Sequence, residues 1–149
     1  MNGNNSSMVD RVLVATDRSE TAEVAVRFAA QMATRFGADL VLLQVVIPPA
    51  TTSVAMTEDL VRHARDLAGD KGFGTVVVGD DPARAIIDAA ETEDVDVVVV
   101  GNVGMSGRKE FLLGNVPNRV SHGTNRTVVI VNTRQRIEEQ AQKKRRFFR

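Results

Sequence analysis

The chain has 149 residues, with 19 lysines and arginines against 19 aspartates and glutamates, a formal net charge of zero and no cysteine. That balance leaves no electrostatic footprint for nucleic acid, and the lack of thiols excludes a disulfide framework, a cysteine nucleophile and a thiolate metal site. Hydrophobic residues make up 43% of the chain, enough to build the core of one domain, yet no apolar run approaches the roughly 18 residues that a membrane helix needs.

Residues 1–9 carry neither the basic nor the apolar part of a signal peptide and read as a short disordered lead, so a cytoplasmic location is expected. Arg11–Thr16 (RVLVAT) is β-branched and apolar and predicts the first strand. Ser19 is a suitable N-cap for a helix in which Ala22, Ala25, Val26, Ala29, Ala30 and Ala33 recur at helical spacing, with Gly37 as its left-handed stop. Asp39–Val46 predicts the second strand, ended by Ile47-Pro48-Pro49. A loop over Ala50–Met56 follows, and Thr57 is expected to cap a helix that reaches about Ala68. Gly69, Gly72 and Gly74 are expected to turn the chain into a third strand at Thr75–Val78.

Asp80-Asp81-Pro82 is a helix-start signal, with proline at the first helical position. The helix carries Ala83, Ile86, Ile87 and Ala90 on its apolar side and stops near Asp94. The continuous run Val97–Val100 predicts a strand buried on both faces. A short helix capped by Asn115 and a fifth strand, Thr127–Asn132, complete the domain, taken as residues 10–133. The remainder, 134–149, is polar, basic and helix-prone. It reads as a solvated extension, the other reading being contact of KKRRFFR with an anionic membrane or a partner.

Strands alternating with helices give an α/β domain with a parallel sheet, because parallel neighbours require crossover connections. Ligands of such sheets bind beyond the carboxyl ends of the strands, where the winding direction reverses. Gly101 and Gly104 follow the fourth strand, and Gly114-Asn115 precedes a helix N-terminus, so main-chain amides there can cradle phosphate. The same glycines would also serve tight turns alone. Arg108 and Lys109 lie inside this loop, as phosphate ligands or as solvated charges. His63 and His122 fall in different helices without a ligand partner at helical spacing, and no metal site is expected.

The spacing Gly101-x2-Gly104-x9-Gly114-Asn115 resembles the nucleotide-binding signature of the universal stress protein family, in which Ser or Thr follows the last glycine. Two further segments resemble that family: Thr16-Asp17-Arg18-Ser19-Glu20-Thr21-Ala22 after the first strand, and Gly79-Asp80-Asp81-Pro82 after the third. The resemblance implies an adenine nucleotide alpha hydrolase-like fold, with five parallel strands in the order 3-2-1-4-5 and helices on both faces. It implies a site for ATP, or AMP or ADP, with or without Mg. There Asp17, with Thr16 beside it, and the main chain at Val45 line the adenine pocket. Gly101, Gly104 and Gly114 approach ribose and phosphates, and Asn115 stands where a hydroxyl normally meets phosphate. A homodimer along the last strand is also implied. Asn115 departs from the pattern: a side chain that caps the following helix would occupy amides otherwise free for phosphate. The functional expectation is a nucleotide-binding sensor or regulatory protein without significant turnover. The alternatives are a nucleotide-free dimerisation or interaction module and, third, a slow ATPase.

Overall fold

The computed structural model describes residues 8–102, 115–133 and 141–146. Strands and helices alternate as β1 (Arg11–Thr16), α1 (Glu20–Phe36), β2 (Asp39–Val46), α2 (Val54–Ala68), β3 (Gly72–Val78), α3 (Pro82–Thr92), β4 (Val97–Gly101), α4 (Val116–Gly123) and β5 (Thr127–Val131). Every strand pairing is parallel and the sheet order is β3-β2-β1-β4-β5, as expected. The chain therefore winds outward from β1 to β3, crosses back through α3, and winds outward again on the other side.

The period of two along each strand divides the core into two layers. Val12, Val14, Leu40, Leu42, Val97 and Val99 face α1 and α2. Leu13, Ala15, Val41, Leu43, Val98 and Val100 face α3 and α4. α1 lies close to the sheet because its buried stripe is Ala25, Val26, Ala29, Ala30 and Ala33, residues small enough to bring backbone near backbone. Its ends are built as the sequence predicts: the Ala22 N–H donates to Ser19 Oγ at 3.1 Å, and Gly37 closes the helix at φ 64°.

Two boundaries differ from expectation. α2 begins one turn earlier than Thr57, because the Ser53 hydroxyl accepts the Met56 N–H at 3.1 Å and caps the helix there. Thr57 sits inside the first turn, its hydroxyl donating to the Ser53 carbonyl. β3 begins at Gly72, so Gly72 and Gly74 are strand residues rather than turn residues. Packing explains them: a Cβ on Gly72 would run into the Ala64 carbonyl of α2, and one on Gly74 would lie 3.1 Å from the Val61 nitrogen. The two positions share a face of β3 and let α2 settle directly on it. Smaller shifts occur elsewhere. Val9, placed in the lead by sequence, packs against the α1–α2 layer, and β5 ends at Val131.

At the amino ends of the central strands the sheet is tied shut. Asp96 Oδ2 accepts the N–H groups of Asp10 at 2.7 Å and Arg11 at 3.0 Å, and the Asp96 N–H donates to the Arg11 carbonyl. The carboxyl ends behave differently, and the candidate site lies there.

Candidate functional site

The β1–β2 ladder runs to Thr16↔Gln44 and the β4–β5 ladder to Gly101↔Val131, but the β1–β4 ladder stops at Val14↔Val99. β1 and β4 therefore diverge before either strand ends. This opening lies where the winding direction reverses, since β1 leads left to β2 and β4 leads right to β5. The crevice is a consequence of topology, and its walls are the residues at those strand ends.

Asp17 leaves β1 on one wall. Its Oδ1 accepts the Ser19 N–H at 2.9 Å, and Thr16 Oγ1 accepts the Arg18 N–H at 2.9 Å. These two bonds hold a turn in which Arg18 takes the left-handed conformation, φ 68°, a strained state for a long side chain. The turn is thus over-determined, and it leaves the second carboxylate oxygen of half-buried Asp17 without a protein partner among the described residues. Thr16 is buried and its hydroxyl oxygen is used within the turn. Val45 lies one step beyond Gln44, hence alongside Asp17, and its side chain is buried in the α3–α4 layer with only its main chain at the strand end.

Gly101 ends β4 on the opposite wall. Gly104, Arg108, Lys109 and Gly114 lie outside the described residues. Asn115 corrects an expectation. It occupies the N-cap position of α4 but is left-handed, φ 39° and ψ 49°, and its side chain makes no capping hydrogen bond. An N-cap side chain reaches the helix amides from extended backbone, which Asn115 does not adopt. Only its carbonyl joins the helix, accepting the Arg119 N–H at 3.0 Å. Pro117 has no N–H, and the first-turn amides of Val116 and Asn118 lack intrahelical acceptors. Because α4 runs antiparallel to the strands, this N-terminus, which the Asn115 side chain does not cap, and its positive end of the helix dipole lie on the carboxyl side of the sheet.

α4 is aimed by a bond that no sequence pattern foretells. Arg119 Nη1 and Nη2 donate to the two oxygens of Asp81, at 2.7 and 2.8 Å. Asp81 is also the cap of α3, accepting the Arg84 N–H, so one carboxylate joins the start of α3 to α4. The Arg119 guanidinium, and then the Arg84 amide, hold the Asp81 carboxyl below its usual 3.8. A carboxyl depressed in the folded state stabilises fully above its unfolded pKa and loses that contribution as pH falls through the folded value. The expected outcome is a melting temperature that drops on acidification below about pH 4, with a smaller drop in Asp81→Asn. Parallel acid profiles for the two proteins would contradict the assignment.

A second cleft, of about 430 Å³, opens on the α1–α2 side of the Asp17 turn and is lined by Arg18, Glu20, Glu23, Arg27 and His63. Its arginines are already engaged, Arg18 with Asp59 and Arg27 with Glu23, and His63 Nε2 lies 3.0 Å from both Glu23 oxygens. It offers an anion little, unlike the α4 terminus. Among the described residues no cluster of three or more His, Cys, Asp or Glu is placed to hold a metal ion. No helix there is long and apolar enough to cross a membrane.

Comparison with known proteins gives a consistent result. The model of the universal stress protein family matches residues 8–132. The chain is similar to universal stress protein Rv1636 of Mycobacterium tuberculosis, 33% identical over 143 residues that cover 82% of this chain and 95% of the relative. Among solved structures, it is similar to a universal stress protein in complex with cAMP, with TM-score 0.68, 29% identity, and coverage of 85% of this chain and 99% of that one. It is also similar to universal stress protein MJ0577 of Methanocaldococcus jannaschii, with TM-score 0.62, 31% identity, and coverage of 83% and 96%.

Proposed function

This chain belongs to the universal stress protein family, and from that premise we propose that the crevice between β1 and β4 binds an adenine nucleotide, ATP first among them. The observation that carries this reading is the early end of the β1–β4 ladder, with an Asp17 oxygen that has no partner among the described residues on one wall and the α4 terminus, not capped by the Asn115 side chain, on the same side. Each feature suits one portion of the ligand. A carboxylate oxygen accepts from the adenine amino group, a strand end offers its main chain at Val45, and helix amides with a positive dipole end receive phosphate. Gly101 borders the space through which phosphates would pass, with Gly104, Gly114 and Arg108 as further candidates. The solved relative that holds cAMP supports an adenine ring in this fold.

The role assigned is that of a cytoplasmic sensor or regulatory protein without significant turnover. Asp17, tied into its turn by Ser19, is placed to receive a hydrogen bond rather than to activate water. β5 is an edge strand with half-buried Val128 and Val129 and exposed Ile130, and pairing of two copies along it is the homodimer we propose. Mg, if bound, would be held by the nucleotide's phosphates.

Mass spectrometry of small molecules released from protein purified without added nucleotide tests the reading. An adenine nucleotide at near-stoichiometric yield supports it, and only non-adenine ligands in the crevice would refute it. Asn115 refines it. Since its side chain spares the α4 amides, Asn115→Ser adds a hydroxyl without freeing donors, and affinity for ATP is expected to rise by about fivefold or less. A gain of a hundredfold or more would show that the natural residue obstructs the site and would favour the nucleotide-free interaction module.

A further inference from the structure

Asn102, the residue after Gly101, makes more ordered contacts than a solvated loop position requires. Its N–H donates to the Val131 carbonyl at 2.9 Å, continuing the β4–β5 ladder by one bond. Its side-chain Oδ1 then accepts twice from Thr133, from the N–H at 3.0 Å and the hydroxyl at 3.3 Å. Its Nδ2 reaches Asn132 Oδ1 at 3.5 Å, the limit for such a bond. One exposed asparagine thus grips three consecutive residues at the end of β5. Thr133, its main partner, is wholly buried with 0% exposure. Loss of that acceptor would leave a buried N–H and hydroxyl unsatisfied.

The position of this grip matters. β4 has lost its partner β1 by Val100, so Gly101 is held on one side only, by β5. Asn102 follows Gly101 directly, and its clamp fixes where the main chain leaves the sheet at the crevice wall. We propose that Asn102 is a positioning residue for the nucleotide: by clamping residues 131–133 it sets the wall at Gly101 and couples occupancy of the crevice to the order of those three residues. The inference rests on the crevice being an adenine-nucleotide site. Coupling of this kind is reciprocal, so nucleotide must tighten the clamp as much as the clamp favours nucleotide.

The test compares wild type, Asn102→Ala, Thr133→Val and the double variant by ATP titration and by hydrogen exchange at the Thr133 amide. Asn102→Ala is expected to weaken ATP binding about fivefold and to speed Thr133 exchange in nucleotide-free protein. Thr133→Val, remote from the ligand, is expected to weaken binding less, and to add nothing in the Asn102→Ala background. ATP should slow Thr133 exchange in wild type and fail to do so in Asn102→Ala. Equal ATP affinity in wild type and Asn102→Ala overturns the inference alone, as does strict additivity, which would mean that Asn102 touches nucleotide directly. Absence of binding by wild type overturns the reading of the crevice and this inference with it.

Discussion

Gly72→Ala is expected to lower stability by about 3 kcal/mol or more, at or beyond the upper end of overpacking substitutions. The added methyl would meet the Ala64 carbonyl and the Arg65 nitrogen, which are helix backbone and cannot rotate away. Relief requires α2 to lift from β3, and Leu60 and Ala64, both fully buried, lift with it. Gly74→Ala is the milder case at about 1 kcal/mol, because its nearest contacts at 3.1 and 3.2 Å need only a few tenths of an ångström. Gly123→Ala is the control. Its methyl would meet Ile87 Cδ1 at 2.6 Å, the free end of a side chain that can change rotamer, and alanine's better helix propensity offsets the rest. Chemical denaturation of the three variants checks the order Gly72, Gly74, Gly123. A Gly72→Ala protein as stable as wild type would contradict direct packing of the Ala64 backbone on Gly72.

The second large effect is on binding. Asp17→Ala is expected to weaken ATP affinity roughly ten- to a hundredfold, the range for losing a hydrogen bond to a charged group. Its effect on folding should be small by comparison, since the bond lost within the protein is a single one, from the Ser19 N–H. Calorimetric titration beside a thermal melt separates the two. Unchanged affinity would remove Asp17 from the site, and a collapse of the melt would show that the turn, not the ligand, needs the carboxylate. Asp17→Asn should fall between, because one oxygen cannot serve both Ser19 and adenine.

Much of this fold is legible in the residues because local signals and burial agree. The apolar strand runs, Ser19 and Gly37 around α1, and Asp81-Pro82 before α3 all point to the elements observed. Gly72 and Gly74 mislead because glycine marks turns by its backbone freedom, whereas here its small size is what counts, and only the approach of α2 reveals that. Ser53 and Thr57 are both good caps by residue type, so residue type alone does not fix where α2 starts. Which one wins depends on where Leu60 and Ala64 must meet the sheet.

The site is less fully legible. The family resemblance points to Asp17, Val45 and Gly101, and the topology brings these three to one end of the sheet. The backbone of Asn115 is not readable, because asparagine is both a favoured N-cap and, glycine aside, among the residues that best tolerate left-handed φ, and the second property prevails. The Asp81–Arg119 bond and the Asn102 clamp join residues 38 and 31 apart, which no local pattern encodes.

Isothermal titration of the wild-type protein with ATP, ADP and AMP, and with GTP for comparison, bears on the central claim most directly. Saturable heat with one adenine nucleotide per chain, much weaker with GTP and reduced in Asp17→Ala, is the result predicted. No heat from any adenine nucleotide at millimolar concentration, in protein shown to carry no bound ligand, would contradict it.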